Sequence, residues 1–187
     1  MKFKTLILAG LLVLAFTGSA YATVGTCTLT SVTSTQNANS RVPDSYTVDM
    51  VVTCIGGSDG SLAALTIPLS GASNTIGTLN AYNLFGYYLY QIGRTPGNVS
   101  ASQSTCSATC PTNGYTVTLT DAQGFALDLA LLTSNGSGGN GGVAQLNVIN
   151  NYATNYPAVR NGALSLAVTG NSVASAKIVF DLIFKSQ

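Results

Sequence analysis

The chain has 187 residues, 46% of them hydrophobic but only 7% charged: 7 basic side chains, 6 acidic ones and no histidine. Glutamate is absent too, so a Ser-His-Asp or Cys-His nucleophile cannot be assembled. No cluster of lysine and arginine offers a surface to nucleic acid or anionic lipid, and neither is expected as a partner. Solubility has to come from Ser, Thr, Asn and Gly, and weak charge repulsion leaves room for association.

Residues 1–22 read as a secretory signal peptide. Lys2 and Lys4 form a basic start, 6–16 is an apolar run too short to cross a bilayer comfortably, and Ala20-Tyr21-Ala22 is a small-x-small cleavage site. The mature domain is then 23–187, long enough for one domain with a real core. It is expected to be secreted, periplasmic or at the cell surface, with no membrane span after cleavage. Loss of Lys2 and Lys4 turns the formal charge from +1 to about −1.

The exported part holds all 4 cysteines, Cys27, Cys54, Cys106 and Cys110. An even count in an oxidising compartment argues for disulfides, and four cysteines allow three pairings. Zinc is the alternative, restricted to an all-cysteine site.

Cys27-Thr-Leu29 starts a first strand, with Cys27 and Leu29 on one face. Residues 33–45 are polar and end in the turn signal Pro43-Asp44. A second strand covers 46–54: Tyr46, Val48, Met50, Val52 and Cys54 share one face, Thr47, Asp49 and Thr53 the other. Cys27 and Cys54 therefore both point inward from successive strands. They can bridge if register brings their Cα atoms to about 5.5–6 Å, and Cys106 then pairs with Cys110 by elimination.

Residues 62–69 make a third strand, with Pro68 marking an edge or a strand end. The fourth, 82–92, is apolar or aromatic on both faces, so it should be central or meet a partner. Residues 93–114 show no apolar pattern and read as a long loop stapled by Cys106–Cys110. In Tyr115-Thr-Val-Thr-Leu-Thr-Asp121 the period-two alternation is cleanest, with Tyr115, Val117 and Leu119 against three threonines. Residues 126–132 are short and apolar, helix or strand. After the glycine-rich loop 135–142 come a moderate strand over 143–149, a loop over 150–162 and a clean strand over 163–169. Gly170-Asn171 turns the chain into the last strand, 174–184, with Ile178, Phe180, Leu182 and Phe184 on one face. That strand is either central in its sheet, the reading favoured here, or an edge that accepts a neighbour.

About eight strands at this spacing make an all-β protein: a single antiparallel β-sandwich, immunoglobulin-like or pilin-like, with two disulfides. A membrane β-barrel is the second reading.

Two partial resemblances follow from these residues. Cys27, the stretch Tyr-Thr-Val-Asp-Met-Val-Val-Thr-Cys54 and Leu65-Thr-Ile-Pro-Leu-Ser70 together resemble the first half of chaperone–usher pilins and spore-coat-U-like secreted proteins. In those families an early cysteine bridges to one ending the second strand. Pilins usually carry a donor segment before the first cysteine; here only Thr23 to Thr26 would stand there. The second half is similar to small uncharacterised β-sandwich proteins of bacteria and their phages, through Gly86-Tyr-Tyr-Leu-Tyr90, the Tyr115–Gly124 stretch and Leu164-Ser-Leu-Ala-Val-Thr-Gly-Asn171. This second resemblance implies fold more than activity.

The chemistry is thin. Asp121 and Asp128 flank one turn and are the nearest pair for carboxylate chemistry, but turn capping by Asp121 explains it better. No other paired carboxylates stand out. Asp59 or Asp121 could contribute to calcium binding, yet no spaced run of oxygen ligands follows. The 135–142 loop lacks a following Lys-Ser or Lys-Thr, so no phosphate cradle and no cofactor is expected. The chain reads as no enzyme. Binding surfaces remain: Tyr152, Asn155, Tyr156 and Arg160 combine aromatic faces and hydrogen-bonding groups in one loop, and the stapled 93–114 loop is a second candidate. The expected function is a secreted or cell-surface structural protein, a subunit of an appendage, filament or matrix that associates with itself or with other surface proteins. A glycan-binding or adhesive module is the alternative, and a phage-related structural protein a more distant one.

Overall fold

Alternation decides where the chain folds. In 46–55 every second side chain is apolar, and Val48, Met50, Val52 and Cys54 are all buried while the residues between them are half-exposed or exposed. A computed structural model describes residues 22–36, 46–71, 82–97, 106, 108–112, 114–124, 126–127, 144–147, 159 and 162–186. The strands are β1 (Thr26–Gln36), β2 (Tyr46–Ile55), β3 (Leu65–Ile67), β4 (Ser70–Gly71), β5 (Tyr82–Asn83), β6 (Tyr87–Pro96), β7 (Thr116–Thr120), β8 (Ala144–Asn147), β9 (Leu164–Thr169) and β10 (Lys177–Ser186). There is no helix among the described residues.

Two antiparallel sheets carry the fold: a five-stranded one in the order β1-β2-β10-β6-β8 and a three-stranded one in the order β3-β9-β7. Strands β4 and β5 form a small ribbon. The inward rows of both sheets meet in one core. Met50, Val52, Phe180 and Leu182 come from the larger sheet; Val117, Leu119, Leu166 and Val168 come from the smaller. The expected all-β sandwich is what forms.

The last strand is central. β10 pairs with β2 over Lys177–Lys185 and with β6 over Ile178–Ser186. Its inward row, Ile178, Phe180, Leu182 and Phe184, is fully buried. Both ladder sides of β10 are therefore taken, and it is no edge for a neighbouring chain.

The disulfides are Cys27–Cys54 and Cys106–Cys110. Cys27 stands directly opposite Cys54 in the β1–β2 ladder, with Cα atoms 3.9 Å apart. This is closer than the 5.5–6 Å expected. The second bridge closes a loop with Cα atoms 5.7 Å apart.

Besides the third strand, which shortens from 62–69 to Leu65–Ile67, and the last, which runs Lys177–Ser186 rather than 174–184, three boundaries differ from the sequence reading. β1 continues to Gln36, although 33–36 is polar, and β6 continues to Pro96. Each strand contains a bulge: Thr30 is the extra residue between Leu29↔Val52 and Ser31↔Val51, and Tyr90 is the extra residue between Phe184↔Leu89 and Ile183↔Gln91. A bulge moves the inward set by one position. The buried residues are thus Leu89 and Ile92, three apart, and Val32 falls out of step with Cys27. Third, residues 82–92 are not one strand. A turn at Leu84–Tyr87, closed by Tyr87 N–H donating to Leu84 O at 3.0 Å, separates β5 from β6. Gly86 supplies the positive φ of 81° this turn needs, and Phe85 is left exposed on it.

Candidate functional site

Among the described residues, several backbone and side-chain bonds cross-connect the loops at the end of the sandwich where β6 leaves its sheet. Gly97 N–H donates to Lys177 O at 2.7 Å, and Lys177 N–H donates to Thr109 O at 2.9 Å. A side chain at Gly97 would collide with Cys106 Sγ and Ala108 O, so the stapled loop lies directly on the strand end. Asn171 ties three segments together. Its Oδ1 accepts Thr112 N–H at 2.9 Å, and its Nδ2 donates to Gly60 O at 2.6 Å. The Thr112 hydroxyl accepts Ser172 N–H at 2.8 Å. This hub holds the stapled loop against the turn that Gly170-Asn171 makes.

Beneath it lies a charge that the sequence reading did not single out. Arg94 is opposite Phe180 in the β6–β10 ladder, on the inward face of the sheet. It is 4% exposed, and its guanidinium carbon stands 5.7 Å from the centroid of the Tyr115 ring. Tyr115 is itself 1% exposed. Burial pushes the Tyr115 phenol above its usual range, while the charge and nearness of Arg94 pull against that shift. The contact stops short of hydrogen-bond geometry: Arg94 Nε and Nη1 and the Tyr115 hydroxyl make no hydrogen bond. A guanidinium keeps its charge at any accessible pH, so it cannot relieve its own burial by losing a proton. The signal was present in the sequence. Continuing the Ile92 face by two residues reaches Arg94, but the expected strand stops at Ile92.

A second cluster sits on the outer face of the same sheet. Asp181 on β10 stands opposite Val51, and Asp49 on β2 stands opposite Ile183, so the two aspartates are diagonal neighbours. Desolvation, then a hydrogen bond to Asp49 and the charge of Asp49, raise the Asp181 carboxyl to about 6. One oxygen of each, Oδ1, is buried without a further donor. Two carboxyl groups can hydrogen-bond only when one carries a proton, so a proton on Asp181 below about pH 6 lets it bond to Asp49. The sequence reading found no paired carboxylates beyond Asp121 and Asp128. Asp49 and Asp181 correct that: a sheet register joins residues far apart in the chain. Chemically the pair can take up and release one proton.

The other candidates sort as follows. Asp121 Oδ1 accepts Gln123 N–H at 3.0 Å, and Gly124 N–H donates to Asp121 O, so Asp121 caps its turn. Asp59 Oδ1 accepts Ser61 N–H and the Ser61 hydroxyl, which lower its pKa. Asp128, and the loop residues Tyr152, Asn155, Tyr156 and Arg160, lie outside the described residues, as does the signal-peptide stretch 1–21. Among the described residues no helix is long and apolar enough to cross a membrane.

No family model matches the chain, and no curated protein and no solved structure matches it.

Proposed function

We propose that this is a non-enzymatic structural protein, exported to the cell surface or its surroundings, whose copies associate through the edge of the five-stranded sheet. One observation carries the reading. β1 ends the strand order, has β2 on one side and no strand on the other among the described residues, and runs for 11 residues, Thr-Cys-Thr-Leu-Thr-Ser-Val-Thr-Ser-Thr-Gln. It contains no charged residue and no proline. Edge strands are commonly guarded by lysine, proline, bulges or short length, and β1 has the bulge at Thr30 alone. Its exposed threonines favour extended backbone and accept a partner strand without burying charge.

The two disulfides, both of the kind kept in oxidising compartments, support export. The resemblance of the Cys27–Cys54 half to pilins points the same way. The test is size. Sedimentation and negative-stain microscopy of the native protein should show oligomers or filaments. Thr28→Lys with Ser34→Lys, both at exposed positions, should give folded monomers. A wild-type protein that stays monomeric at high concentration would remove this reading and favour a monomeric adhesive module.

A further inference from the structure

The interior arginine asks for an anion that the described chain does not supply. The exported sequence holds six aspartates and no glutamate. Asp59 is engaged by Ser61, Asp121 caps the turn after β7, and Asp49 and Asp181 face each other on the outside of the sheet. Arg94 lies on the other face, toward the core, with two nitrogens lacking any partner. Breaking up a buried ion pair leaves the remaining charge costly, and an unmet buried donor is costly in its own right. Beside these nitrogens is a tyrosine hydroxyl that is also unmet.

We propose that Arg94 and Tyr115 form the floor of a binding site for a carboxylate group at the disulfide-stapled end of the sandwich. The guanidinium presents parallel N–H donors in the spacing that a carboxylate accepts with both oxygens. The Tyr115 hydroxyl can donate a third bond. Phosphate fits less well. A buried dianion needs a second cation, and Lys177, the nearest other cation in the sequence of these strands, is exposed. The surroundings are apolar: Phe180 is opposite Arg94, and Ile92 and Ile178 are buried beside it. In such a setting a single negative charge matched to a single positive one is the arrangement of lowest desolvation cost. The stapled loop that binds to the strand end through Gly97 and Thr109 would then hold the edge of a site. This inference stands independently of association through β1.

A carboxylate can come from a small organic acid or from the free C-terminus of a polypeptide. Residues 23–187 contain three arginines, Arg41, Arg94 and Arg160, so the Arg94 Nε–Hε resonance in protein labelled with ¹⁵N-arginine can be assigned from Arg94→Lys. The probes are acetate, a tripeptide with a free C-terminus, the same tripeptide amidated, and inorganic phosphate. A saturable shift of the Arg94 resonance with acetate and with the free tripeptide assigns a small-acid site; a shift with the free tripeptide alone assigns a polypeptide C-terminus. The amide should leave the resonance unmoved. In the variants, which lack that resonance, binding of the same probes is followed by titration calorimetry, and there Arg94→Met should weaken binding at least about tenfold, as loss of a charge-assisted hydrogen bond does. Arg94→Lys keeps the charge without the fork and should also bind more weakly. Should Arg94→Met fail to fold, this second variant decides. The proposal is overturned if no carboxylate moves the resonance, if phosphate binds as tightly as acetate, or if binding persists in both variants. It is equally overturned if Asp44→Asn or Asp128→Asn shifts the Arg94 resonance in the ligand-free protein, since the partner would then be internal.

Discussion

The two faces of the five-stranded sheet each carry a charge that no described residue neutralises, and they resolve it differently. On the outer face Asp49 and Asp181 repel each other, and a single proton turns repulsion into a hydrogen bond. On the inner face Arg94 has no such outlet, because a guanidinium does not release its proton. The acidic pair should therefore show itself as a dependence on pH, and the arginine as a dependence on a partner. One strand links them: Phe180 of β10 stands opposite Arg94, and the next residue, Asp181, is the diagonal neighbour of Asp49.

The largest expected effect breaks both sites together. Val179 pairs with Thr53 on one side and Thr95 on the other. Proline there removes the N–H from a ladder that is occupied on both sides, with no edge to absorb the change. Val179→Pro should cost about 3 kcal/mol or more, by analogy with proline inside other regular elements. Denaturant unfolding should show an unfolded or molten chain. A folded Val179→Pro protein that still assembles would mean that β10 is not central.

A smaller effect sharpens the inner half of the comparison. Tyr115→Phe removes a buried hydroxyl that makes no hydrogen bond and keeps the ring against Arg94. Removing an unmet polar group costs nothing in lost bonds, so the ligand-free variant should gain about 1 kcal/mol. A thermal melt checks it. A loss of stability instead would show that the hydroxyl is bonded in solution, and the contrast between the two faces would weaken.

How much of this was legible in the sequence depends on where alternation ran unbroken. β2, β7, β9 and β10 have the inward rows that period two assigns them. Cys27 and Cys54 fell on matching faces for the same reason. β1 was cut short because Thr30 shifts the inward set by one, and a bulge leaves no mark that separates it from a strand end. β6 was cut at Ile92 because Gly93-Arg94-Thr95-Pro96 carries no apolar alternation. That cut hid Arg94, which lies beyond the bulge on β6. The Asp49–Asp181 pair was hidden for another reason. Each aspartate was visible on the outward face of its own strand, but their meeting depends on the β2–β10 register. A strand pairing across that length of chain is set by tertiary contact, not by local pattern. The turn role of Asp121 was readable because an aspartate two residues before its bonding partner is a local device.

The smallest expected effect concerns the outer face, where Asp181 is half-exposed and solvent screens the interaction. Its carboxyl is raised in the folded protein to about 6, against about 3.9 in an unfolded chain. The folded state thus binds more protons than the unfolded state between these values. By linkage, stability falls as pH rises wherever the folded state holds the extra proton. The contribution is fully present below about pH 4 and is lost as pH climbs through about 6. Lys185, on the same outer row, does not neutralise the pair: its Nζ lies over the Tyr90 ring, 3.3 Å from the centroid. From β1 the residue opposite Asp49 is Thr33, and from β6 the residue opposite Asp181 is Gly93, so neither neighbour adds a charge. Asp181→Asn keeps a donor for Asp49 at every pH and removes the titration. Its melting temperature should match the parent's near pH 4, exceed it above pH 6, and vary less between the two. Melts in matched ionic strength across pH 4–7 measure this directly. A parent protein whose stability rises over that range, with Asp181→Asn following the same slope, would mean that the two carboxyls do not share a proton and that the outer face is as fixed in charge as the inner one.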